Sequence, residues 1–229
     1  SRGLGDVYKR QAQTAAFKGI LRRADGKNAA GALLFGVTGS GKTTIYIRLI
    51  AEMRARGRTA LLLVPEIALT PQMLRTFSSH FGDDIAVLHS SLSAGERLDE
   101  WRRIKNGEAG VVIGTRSAVF APAEKLGIVI IDEEQEDSYK SENAPRYHAR
   151  DVAKFRCAQD KALLLLEVET ISPETLAAIG RYAAAGGKVF FVGSTPSKAP
   201  GLAGLEGGDK EVQRLTADLM KQYPDRILH

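Results

Sequence analysis

Residues 36–43, Gly-Val-Thr-Gly-Ser-Gly-Lys-Thr, are the stretch best equipped for chemistry. They satisfy G-x-x-x-x-G-K-[ST] in full, after an apolar run and before a helical pattern. The glycines permit a loop whose backbone N–H groups converge on phosphate oxygens, and a helix starting near Lys42 adds its positive dipole end. The nucleotide-binding set is therefore Gly36, Thr38, Gly39, Ser40, Gly41, Lys42, Thr43 and Thr44. Lys42 is expected to reach the β- and γ-phosphates, and Thr43 to offer its hydroxyl to Mg²⁺. A glycine-rich turn at a strand end is the alternative, and the flanking strand and helix argue against it. The second chemical group is Asp132-Glu133, at the end of the run IVIIDEE. Asp132 suits the Mg²⁺ shell, and Glu133 can orient and deprotonate a water. That favours hydrolysis over phosphoryl transfer to a metabolite. The bland alternative is two exposed acids at a strand end.

These groups need a sheet with its strand ends aligned. The pattern predicts a helix over 14–23, a strand over 31–37, and a helix over 42–56 with Ile45, Ile47, Leu49, Ile50 and Met53 toward one side. Strands follow at 59–65, 85–90, 109–115 and 127–134, and helices at 71–81, opened by Pro71, and 93–106. Ser93 with Glu96 reads as a capping box. Strands apolar on both faces and joined by helices imply a mainly parallel α/β sheet covered on both sides.

Composition sets the outer limits. A chain of 229 residues that is 44% hydrophobic and 26% charged can form a packed core. One cysteine, Cys157, excludes a disulfide framework and an all-cysteine zinc site, and fits a reducing, cytoplasmic setting. No apolar run reaches the roughly 18 residues a membrane span needs, so no membrane partner is expected. The net charge of +5 lies before residue 161, since 161–229 hold 8 Lys/Arg and 8 Asp/Glu. Such a charge is a weak argument for nucleic acid by itself. Residues 1–11 show no apolar period, and DVYKRQ (6–11) is what GAT-GTG-TAT-AAG-AGA-CAG encodes. That resembles the transposon mosaic end of sequencing-library adapters, so 1–11 are expected to be non-native; an ordinary N-terminal tail is the alternative.

Beyond the phosphate loop, PEIALTPQ (65–72), the run from Leu88 to Pro122, DEEQEDSYK (132–140) and PRYHARDVA (145–153) occur in that order. The ordered set resembles the first lobe of the bacterial replication-restart (PriA) helicases of superfamily 2, over about residues 12–160. The resemblance implies a RecA-like P-loop lobe that uses ATP and Mg²⁺, binds single-stranded and forked DNA, and works with primosome proteins. It makes Gln13 the reader of the adenine edge, with a helix-surface glutamine as the alternative. It assigns DNA contact to Pro65, Glu66, Thr70, Gln72, Thr115, Arg116 and Ser117, with Arg116 on a phosphate. Tyr147, His148 and Arg150 fall in an aromatic-rich loop that links DNA contact to ATP turnover; a stacked base contributes about 1–3 kcal/mol. The alternative is that Tyr147 packs on the core and His148 caps a helix. Gln135 stands where the family commonly has histidine, and Pro145 where a tryptophan sometimes lies. The family's zinc module, second lobe and N-terminal DNA-binding region are not recognisable here.

Residues 161–229 read as a small α/β tail. KALLLL (161–166) fits the family's coupling strand, but Glu167-Val-Glu-Thr follows instead of the coupling turn, and VGSTPS (192–197) comes later. Between them, Ser172 caps a helix opened by Pro173, and Gly186-Gly187 ends it before a strand at 188–192. This part weakly resembles an accessory domain of large glycoside hydrolases, so a chimeric join near 161 or an insertion is expected. Three functions follow: a helicase lobe of replication restart, another superfamily 2 translocase, or a fragment that binds nucleotide and DNA with little turnover.

Overall fold

The computed structural model describes residues 2–25, 29–35, 41–168, 170–185, 189–191, 195–199 and 207–228, the side chains of 2–12, 190 and 228 excepted. Its elements are α1 (Arg2–Ala24), β1 (Ala30–Phe35), α2 (Lys42–Ala55), β2 (Thr59–Leu63), α3 (Pro71–Phe81), β3 (Ile85–Leu88), α4 (Ala94–Lys105) and β4 (Val111–Gly114). They continue with β5 (Leu126–Ile131), α5 (Ala149–Asp160), β6 (Leu163–Val168), α6 (Pro173–Ala184), β7 (Val189–Phe191), α7 (Gly208–Gln222) and β8 (Ile227–Leu228). The chain divides into two compact units, one of residues 21–31 and 46–166, the other of 1–20, 32–45 and 167–229.

In the first unit the strands run parallel in the order β3-β4-β2-β5-β6. Every residue of β2, β4 and β5 is buried, as a parallel sheet covered on both faces requires. The core gathers Leu61, Leu63, Val112, Val129 and Ile131 from the strands with Ile104, Ala153 and Cys157 from the helices. Burial pushes the Cys157 thiol up to about 12, which keeps it neutral. The segment KALLLL supplies β6, paired with β5 from Ile128↔Leu163 to Ile131↔Leu166, while Ala30 N–H donates to Ala162 O at 3.2 Å.

In the other unit β1, β7 and β8 are parallel neighbours. Phe35 of β1 meets Phe191 edge-on, ring centroids 5.7 Å apart, over a core of Val168, Leu176, Ile179 and Val212. Helix α6 begins as its sequence implies, with the Ser172 hydroxyl accepting from Thr175 N–H ahead of Pro173. Gly180 lets α7 approach: a Cβ there would lie 2.9 Å from Leu219 Cδ2.

Several boundaries differ from the sequence reading. The helix read at 14–23 runs from Arg2 and takes in residues 2–11, although they lack an apolar period; no proline interrupts 2–24. Strand β5 ends at Ile131 rather than 134, because polar Asp132 and Glu133 must leave the buried sheet. Residues 66–68 and 116–120 form 3₁₀ turns directly after the strand ends. The capping box of α4 is present as read, Ser93 with Glu96. Among the described residues, no helix is long and apolar enough to cross a membrane.

Candidate functional site

Of the phosphate-loop residues, Gly36, Thr38, Gly39 and Ser40 lie outside the described residues, whereas Gly41, Lys42, Thr43 and Thr44 are described. Gly41 has φ +87°, a left-handed conformation that side chains resist. A Cβ at Gly41 would also collide with the Gln13 amide, so the glycine and the glutamine read as an adenine reader lie side by side. Lys42 opens α2, with Thr43 and Thr44 exposed beside it. The Lys42 ammonium donates to Glu167 Oε1 at 2.6 Å, and Glu167 is fully buried. That partner is invisible in the sequence pattern, where Glu167 registers only as a departure from the coupling turn.

In the other unit, Asp132 and Glu133 sit just past β5. Asp132 N–H donates to Leu63 O at 3.0 Å, and Tyr139 OH donates to Asp132 O at 2.7 Å, so the backbone is held on both sides. Tyr46 OH donates to the Asp132 carboxylate Oδ1 at 2.6 Å. Tyr139 lies within DEEQEDSYK, yet the motifs assign a site role to neither tyrosine. Tyr46 carried a usable signal, a phenol on the buried side of an amphipathic helix that needs a polar partner. Glu133 has φ +49°, an unusual backbone state for a residue with a side chain. Such strain gathers at working sites.

The DNA candidates separate into two kinds. Glu66, Thr115, Arg116 and Ser117 line one cleft together with Val64, Ser90 and Ser138. Within it the Glu66 carboxylate accepts from Ser90 OH at 2.7 Å. Pro65 and Thr115 are buried, so their side chains offer little to a ligand. Thr70 is the N-cap of α3, accepting from Met73 N–H at 3.2 Å, and Gln72 is exposed in the first turn. Arg116 donates from Nη1 to the carbonyls of Ser138 and Lys140 and lies 5.8 Å from the Tyr147 ring centroid. It therefore braces the segment after Asp132-Glu133 as well as lining the cleft. Arg150 acts similarly from α5, with Nη1 2.5 Å from Glu134 Oε1. Phe120, 46% exposed, meets Tyr147 edge-on at 4.9 Å and extends the aromatic surface by a residue the motif reading did not single out.

Tyr147 packs against the core and His148 is the N-cap of α5, as the structural alternative for both residues held. His148 Nδ1 accepts from Arg150 N–H at 3.2 Å, so that nitrogen must be unprotonated. Burial first, and then the Arg150 charge, push its pKa below the ordinary 6.5. A lowered folded pKa means the unfolded chain takes up a proton first, so this contribution is complete above 6.5 and declines as pH falls through it. His148→Ala is expected to cost about 1 kcal/mol at pH 8 and less at pH 5, whereas His148→Asn retains most of the cap. Urea unfolding at the two pH values checks this; a loss for the alanine variant that grows on acidification would contradict it.

A buried parallel sheet, with a glycine-only turn leading into Lys42 and an acid pair just off a strand end, defines a RecA-like P-loop lobe. The chain belongs to the DEAD/DEAH box helicase family, whose model matches residues 10–166. It is 50% identical over 165 residues to "Replication restart protein PriA" of Bacillus subtilis, covering 72% of this chain and 20% of that protein. Against the protein of the same description from Treponema pallidum it is 49% identical over 170 residues, covering 72% and 26%. The resemblance read from the ordered motifs is thus borne out, and the chain spans about a fifth to a quarter of the length of these relatives. Among solved structures, "Structure of RecG bound to three-way DNA junction" shares the fold, with TM-score 0.60 and 23% identity over 82% of this chain and 24% of that one.

Proposed function

We propose that this chain is the nucleotide-binding lobe of an ATP-dependent DNA helicase acting in replication restart. Lys42 would hold the β- and γ-phosphates, Thr43 and Asp132 would hold the Mg²⁺, and Glu133 would deprotonate the attacking water. Bound ATP and Mg²⁺ supply the free energy and the charge neutralisation; the protein's share is to orient the phosphates and exclude competing contacts. The observation that carries the nucleotide reading is Gly41, left-handed and set against the Gln13 amide, directly before the lysine that opens α2. Supporting the DNA reading is the double brace on the segment after Asp132-Glu133: Arg116 holds its carbonyls and Arg150 holds Glu134. A strand in the cleft beside Arg116 would thereby be felt at the acids. The replication-restart assignment rests on the relatives so named.

By family resemblance the transition-state arginine comes from a second lobe, where such a finger accelerates hydrolysis by on the order of 10³–10⁵. The 229 residues alone are therefore expected to bind nucleotide and single-stranded DNA with slow turnover. We further propose that 12–160 carry the helicase function, that 161–229 are an insertion or graft, and that 1–11 are adapter-derived. The functional test titrates a fluorescent ATP analogue and a labelled oligo-dT separately, then measures phosphate release with both present. Absence of nucleotide binding in Mg²⁺ would sink the proposal, and preference for blunt duplex over single-stranded or forked DNA would redirect it to another translocase class.

A further inference from the structure

Glu167 follows the last residue of the family match and belongs to no motif. It lies on β6, where alternation puts it on the face of Leu163 and Leu165, both buried. At 0% exposure its carboxylate is one of very few buried charged groups, and such a group persists only when paired. Lys42 is one partner, its ammonium 2.6 Å away and 11% exposed. The carboxylate thus stands against the cation expected to meet phosphate.

We propose that Glu167 is an internal counter-anion that sets nucleotide affinity and flattens discrimination by phosphate number. This rests on the nucleotide reading above. With the pair formed, Lys42 and Glu167 together are electrically neutral, so an incoming phosphate gains less from the lysine than from an uncompensated cation and is repelled by the carboxylate. Because the pair is screened from water, that repulsion is stronger than between surface charges. The opposite role, a carboxylate that merely holds the lysine ready, predicts that removing it weakens binding. The two readings therefore differ in sign.

The experiment titrates the full chain with mant-ATP, mant-ADP and mant-adenosine in Mg²⁺, comparing the native protein with Glu167→Gln. The expected result is about tenfold tighter mant-ATP binding, a smaller gain for mant-ADP and none for mant-adenosine, since the effect scales with ligand charge. In the Lys42→Ala/Glu167→Gln double variant the gain should vanish. Should Glu167→Gln not fold, Glu167→Asp carries the test: it keeps the charge but withdraws it by one methylene, and a gain of severalfold is expected. Unchanged or weaker mant-ATP binding in the folded variant overturns the proposal while leaving the nucleotide site standing. Failure of native and variant chains alike to bind any mant-nucleotide brings down both.

Discussion

Replacing Lys42 by alanine is expected to abolish measurable triphosphate binding and, unusually for a phosphate-loop lysine, to destabilise the fold. The first effect follows from losing a charge-assisted contact to phosphate, about 3 kcal/mol or roughly 100-fold in affinity. The second follows from Glu167: its carboxylate has 0% exposure and would be left without the ammonium 2.6 Å away. Breaking a buried pair by removing one partner costs about 3–5 kcal/mol. Adding Glu167→Gln should restore much of the stability but none of the binding, which separates the two roles of the lysine. Urea unfolding of the native, single and double variants reads the stability, and mant-ATP titration the binding. A Lys42→Ala chain as stable as the native protein would show that Glu167 does not depend on it.

Tyr139→Ala is expected to be among the most damaging single changes in the other unit. The ring is 1% exposed within the core, and its hydroxyl anchors the backbone carbonyl of Asp132 at 2.7 Å. Truncating a buried aromatic costs about 3–5 kcal/mol. Tyr139→Phe keeps the packing and removes only the hydrogen bond, so about 1 kcal/mol is expected. The phenylalanine variant should therefore fold normally while releasing the turn that carries Asp132 and Glu133. Thermal melts of both variants, with amide exchange at Asp132, make the comparison. Equal losses would mean that the hydroxyl, not the ring, dominates, contrary to the burial argument.

Local rules explain what was legible in advance. The Ser93–Glu96 box and Ser172 ahead of Pro173 are caps whose partners lie three residues away, and both start helices as the pattern implied, whereas Thr70, assigned to DNA contact, caps α3 ahead of the expected Pro71. The parallel sheet was legible because β2, β4 and β5 are apolar at consecutive positions, which only burial on both faces rewards. The strand ends were overextended, since apolar runs do not say where the first charged residue bends the chain away. The roles of Arg116 and Arg150 were half legible: their positions marked them as cations near a ligand edge, but not as braces to Lys140 O and Glu134.

Residue type and near-neighbour spacing were enough to specify a parallel α/β lobe, its helix starts and a left-handed glycine before Lys42. Only the tertiary structure decided which groups those chemical residues touch. Lys42 and Glu167 are 125 positions apart, and Tyr46 and Asp132 are 86 apart. No periodicity extends over such separations. These pairs form because the packed elements bring them within reach and burial penalises a polar group left alone.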